Sequence, residues 1–74
     1  MTTTDVLRQL AKDDGNYIAR DLTTDLPRLV MRDSNGDEIC TVPDELFDVL
    51  REHWYLECVN GKWRLNDAGN AAAR

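Results

Sequence analysis

Serine and histidine each occur once in this chain, at Ser34 and His53, and cysteine only twice, at Cys40 and Cys58. That scarcity argues against nucleophilic catalysis, because a nucleophile needs a base within hydrogen-bond reach. The single imidazole lies at the end of a helical pattern with no serine or cysteine beside it, and Ser34 sits in a turn. Two cysteines are too few for a disulfide scaffold and lack the C-x-x-C spacing of a structural zinc site. Both fall in apolar, strand-like stretches, which predicts a reduced, buried pair. A zinc set built from Cys40, Cys58 and His53 would need Glu38 or Glu57 turned inward as a fourth ligand. No glycine-rich phosphate loop or metal-ligand cluster is present. The expectation is a non-enzyme with no cofactor, no metal and no catalytic residue.

Long apolar runs are also missing: none exceeds three residues, Leu29–Met31 and Ala71–Ala73 among them. A membrane span needs roughly 18–20, and no signal-peptide core follows Met1, so no membrane association and a cytoplasmic location are expected. Positive charge is scarce as well, with nine Lys and Arg against fourteen Asp and Glu, a net charge of −5. This opposes the phosphate attraction on which non-specific nucleic-acid binding rests. Seventy-four residues make one small domain, 1–74, with a thin core and no deep pocket.

What is there reads as alternating helix and hairpin. Thr3 or Thr4 followed by Asp5 caps a short helix with Val6, Leu7, Leu10 and Ala11 inward, ending near Asp13 and Asp14 before Gly15-Asn16. Tyr17 to Arg20 reads as a brief strand. Asp21 to Pro27 reads as a loop in which a helical turn opens at Thr23 or Thr24. Around Asn35-Gly36, a two-residue turn sets Asp33 against Glu38, so a five-residue loop pairing Arg32 with Glu38 and Met31 with Ile39 is preferred. Thr41-Val42-Pro43-Asp44-Glu45 starts a second helix, capped by Thr41, that runs to about His53 and buries Leu46, Val49, Leu50 and His53 or Trp54. A second hairpin around Asn60-Gly61 pairs Val59 with Lys62, Cys58 with Trp63, Glu57 with Arg64 and Leu56 with Leu65. One face of this ribbon is then apolar and the other carries an opposite-charge pair. Asn66 or Asp67 caps an Ala-rich tail helix through Ala73.

The stretch Thr41 to Ala73, T-V-P-D-E-L-F-D-V-L-R-E-H-W-Y-L-E-C-V-N-G-K-W-R-L-N-D-A-G and its alanine tail, resembles the winged-helix superfamily: a last core helix, a wing and a closing turn. The resemblance implies a small α+β winged-helix-like domain with a β-hairpin, Arg28 to Thr41, in place of the helix-turn-helix. The order of elements is similar to that of the YjhX-type small toxin family.

Charge is polarised along the chain. From Asp33 to Glu57 eight acids face one base, a net −7, whereas the remainder carries six acids and eight bases, a net +2. A row of carboxylates on a rigid helix and hairpin complements a basic groove on a partner protein and can imitate phosphates. Asp33, Asp37, Glu38, Asp44, Glu45, Asp48 and Glu52 are therefore candidate partner-binding residues, with Phe47 and Tyr55 expected to flank an exposed patch used for a partner or for a homodimer. The expected function is that of a phage or mobile-element inhibitor or modulator of a nucleic-acid-binding complex, of the anti-CRISPR or DNA-mimic kind. The alternative is a winged-helix DNA-binding regulator using Arg28, Arg32, Lys62 and Arg64, if these share a face with Arg20 and Arg74. Asp33-Ser34-Asn35-Gly36-Asp37 echoes the start of a calcium loop. Glu38 occupies the position that needs glycine, and Asp44 the position of the closing glutamate, so an ordinary hairpin turn is expected there.

Overall fold

The computed structural model describes residues 1–23 and 25–74. Its elements are α1 (Thr3–Ala11), β1 (Tyr17–Asp21), β2 (Arg28–Arg32), β3 (Glu38–Val42), α2 (Asp44–Glu52), β4 (Leu56–Val59), β5 (Lys62–Leu65) and α3 (Asp67–Ala72). The strands form one antiparallel sheet in the order β3-β2-β1-β5-β4. The fold is thus α+β, and β1 is the central strand. It pairs along its whole length with β2 but meets β5 through the single ladder pair Ile18–Trp63, so the second hairpin is part of the sheet. No helix among the described residues is long and apolar enough to cross a membrane.

Strand alternation sorts the side chains onto two faces. Ile18, Leu29, Met31, Val42 and Leu56 pack with Val6, Leu7 and Leu10 of α1 and Phe47 and Leu50 of α2 into one core. The opposite face carries Tyr17, Asp21, Arg28, Arg32, Glu38, Thr41 and Lys62. Val30 is buried on that polar face, where Arg28 reaches across to Thr41 Oγ1 at 3.0 Å and Glu38 Oε1 at 2.9 Å.

Several local expectations need correction. The cap of α1 is Thr2, not Thr3 or Thr4: its hydroxyl accepts from Asp5 N while Asp5 accepts from Thr2 N, a reciprocal capping box. The helix ends at Ala11, which is exposed. Thr23 stands in a bend, and the part of the expected helical turn that falls on Thr24 lies outside the described residues. Thr41 belongs to β3 rather than capping α2; Pro43 takes the cap position without a side-chain bond, its carbonyl accepting from Leu46 and Phe47.

The two hairpins use the same dipeptide differently. Asn60 and Gly61 both adopt positive φ, 54° and 77°, and every cross-strand pair of the second hairpin is the expected one. In the first, only Gly36 does so, at 85°, because Asp33 closes the loop: its carboxylate accepts from Asn35 N and Asp37 N. Arg32 faces Glu38 as expected, but a bulge at Ile39 pairs Met31 with Cys40 instead. The bulge lets Cys40 and Val42 face the core while Glu38 faces Arg32.

Candidate functional site

Helix α2 ends in a Schellman motif: Trp54 N donates to Arg51 O at 3.0 Å and Tyr55 N to Leu50 O at 3.1 Å. That motif requires a left-handed residue at the first position past the cap, usually glycine. The chain places Trp54 there, at φ 59° and 80% exposed. A side chain in this conformation costs roughly 1–2 kcal/mol, and the indole returns no core burial to offset it. His53 or Trp54 was expected to complete the buried stripe; His53 is exposed, and the left-handed backbone turns Trp54 outward as well.

Phe47 shows the reverse. Expected at the border of an exposed patch, it is 4% exposed, packing edge-on against Trp63 with ring centroids 5.3 Å apart. The core extends one position around the helix from the Leu46–Val49–Leu50 stripe because Trp63 on β5 projects beneath it, leaving Leu46 and Val49 half-buried. Tyr55 is half-buried, packed on the core and stacked on His53 at 5.2 Å, as the residue two past the cap commonly is. His53 is exposed. Neither Phe47 nor Tyr55 therefore provides the exposed aromatic surface.

Beside Trp54 lies a groove of about 500 Å³, lined by Asp48, Arg51 and Glu52 of α2 and by Trp54, Leu56 and Trp63. The Arg51 guanidinium lies 5.4 Å from the Trp63 ring centroid and 5.7 Å from that of Phe47, which holds it over the aromatics. Among the described residues the ion pairs both belong to Arg28, with Asp21 at 3.4 Å and Glu38 at 2.9 Å. Asp44, Glu45, Asp48 and Glu52 are thus exposed carboxylates without a bound cation.

The remaining predicted acids do not join this surface. Asp33 is half-buried and engaged by turn N–H groups, Glu38 is held by Arg28 on the polar sheet face, and Asp37 is exposed beside the turn. The predicted basic set does converge. Arg28, Arg32 and Lys62 share the polar sheet face, and alternation with Lys62 puts Arg64 there too. Arg28 is neutralised by its two carboxylates, Arg32 donates to Gly36 O at 2.9 Å, and the Lys62 ammonium lies 4.9 Å from the Tyr17 ring centroid. Arg20 alternates to the face of Ile18.

The cysteines are free but not a buried pair: Cys40 is half-buried and Cys58 exposed, since on the edge strand β4 only Leu56 reaches the core. Burial, and secondarily Glu38, raises the Cys40 thiol pKa. Among the described residues no three His, Cys, Asp or Glu side chains stand together to hold a metal ion. Sequence reasoning missed Trp54 as a surface residue. The available signal was the lack of glycine or asparagine between the last helical turn and the following strand, which forces some other residue into the left-handed position.

No protein-family model matches the chain, and no curated protein or solved structure matches it either.

Proposed function

We propose that the protein is a non-enzymatic interaction module that presents α2 and Trp54 to a basic surface of a partner protein, as a phage or mobile-element inhibitor of the anti-CRISPR or DNA-mimic kind would. The observation carrying this reading is Trp54, a large aromatic held exposed at a backbone position that favours glycine. Strained residues cluster at functional sites, and tryptophan is among the residue types enriched at binding hot spots. The unpaired Asp48 and Glu52 that line the groove with it, and Asp44 and Glu45 toward the start of α2, supply steering and register toward a cationic partner. Asp48→Lys with Glu52→Lys is expected to abolish capture of a basic protein from host extract while circular dichroism stays unchanged. Full capture by the reversed variant overturns the reading.

A second reading is a winged-helix-like DNA-binding regulator, favoured by the convergence of Arg28, Arg32, Lys62 and Arg64 on one sheet face. In that case the α2 reversal strengthens duplex binding and Lys62→Glu with Arg64→Glu removes it.

A further inference from the structure

We propose that the β4 edge and the adjoining groove bind an extended segment of the partner, which adds as a sixth strand and inserts an arginine or lysine side chain between Trp54 and the carboxylates of Asp48 and Glu52. This rests on the protein-partner reading and names the chemistry that it leaves open.

Hydrogen bonding along β4 gives the first argument. In the tight hairpin, Val59 and Lys62 flank the turn and Glu57 faces Arg64, so the main-chain groups of Val59 and Glu57 point toward β5. Those of Leu56 and Cys58 point the other way, off the edge of the sheet, where β4 has no neighbour. An added strand uses such groups for affinity and alternate side-chain pockets for specificity.

Facing gives the second. A residue bonded opposite Leu56 or Cys58 projects its side chain on the same side of the sheet as theirs. That is the side on which Leu56 and Trp63 floor the groove and α2 forms its wall. Exposed Cys58 leaves the approach open.

Charge selects the occupant. The groove contributes two carboxylates, Asp48 and Glu52, against one guanidinium, and Arg51 is drawn over Phe47 and Trp63. An incoming long cationic side chain lays its stem on Leu56 and the Trp63 edge and sets its charge against the Trp54 face and the carboxylates. A carboxylate in the same position would be repelled.

The test titrates acetyl-Thr-Val-Arg-Val-Thr-amide into the full chain, followed by two-dimensional amide NMR, with a norleucine-for-arginine peptide alongside. Saturable shifts of the Leu56 and Cys58 amides and the Trp54 indole are expected, with at least about tenfold weaker binding of the norleucine peptide and loss of binding in Trp54→Gly. Equal binding of both peptides overturns the cation site. Shifts confined to Asp44–Glu52 overturn the strand addition while the acidic-helix reading stands. A free chain that is dimeric with protected β4 amides assigns the edge to a second copy and overturns the proposal. Absence of any shift overturns it as well, whereas the protein-partner reading is decided separately by the α2 charge reversal.

Discussion

At Trp54 the backbone and the side chain have opposing preferences: a φ of 59° favours glycine, whereas the residue present is the bulkiest of the twenty. Trp54→Gly is therefore expected to raise stability by roughly 1 kcal/mol, read as a higher urea midpoint, while weakening partner binding. Phe47→Ala acts the other way. Removing a ring buried against Trp63 should cost about 3–5 kcal/mol, a large share of what so small a domain has, and abolish a cooperative urea transition. Asp21 offers a pH handle. Hydrogen bonds from the Thr23 hydroxyl at 2.6 Å and the Thr23 backbone N–H at 3.0 Å, followed by Arg28, hold its carboxyl below the usual range. Because the folded pKa is the lower one, the unfolded chain binds more protons in the interval between the two. The stabilisation is present above the ordinary carboxylate value near about 4 and is lost as pH falls through the folded value. Asp21→Asn should flatten that acid limb in urea midpoints measured from pH 6 down to pH 2.5.

Among the elements, the second hairpin depends on a dipeptide in which both residues hold positive φ. Gly61→Ala is expected to destabilise the fold by about 1 kcal/mol, from the left-handed penalty on a residue with a Cβ, and thermal unfolding measures it. That hairpin was legible in the sequence because two-residue turns leave no freedom of register and only one alignment matched apolar with apolar. The Arg32–Glu38 pairing was legible for a similar reason, the repulsion of Asp33 and Glu38 in the shorter loop. The bulge at Ile39 was not, since it answers to which face the core occupies, a tertiary fact. Thr41 was misplaced as a cap because its preference for that role yields to its place in the β3 ladder. On α2 a period of 3.6 residues located the buried side but not its width, which depends on Trp63 arriving from another strand. The acidic candidates were legible as a sequence block, but the fold divides them: those of α2 remain free, while Asp33 and Glu38 are committed to a turn and to Arg28.

Over the whole molecule, the polar sheet face and the acidic helix lie on opposite sides of one thin layer, so charges of the two signs can be addressed separately by substitution. The order of strands has a kinetic consequence too. Four strands belong to two local hairpins, and those hairpins communicate through β1, which is registered with β2 along five residues yet with β5 through the single ladder pair Ile18–Trp63. Such an asymmetric seam divides a small protein into a larger cooperative unit and a lesser one able to swing open by itself. Native-state hydrogen exchange should find the β4 and β5 amides exchanging together at lower denaturant than those of β1 and β2, and Ile18→Ala should widen the gap between the two. The β4 edge would then sit on a leaf hinged to a firmer body, able to adjust its pitch without unfolding the rest.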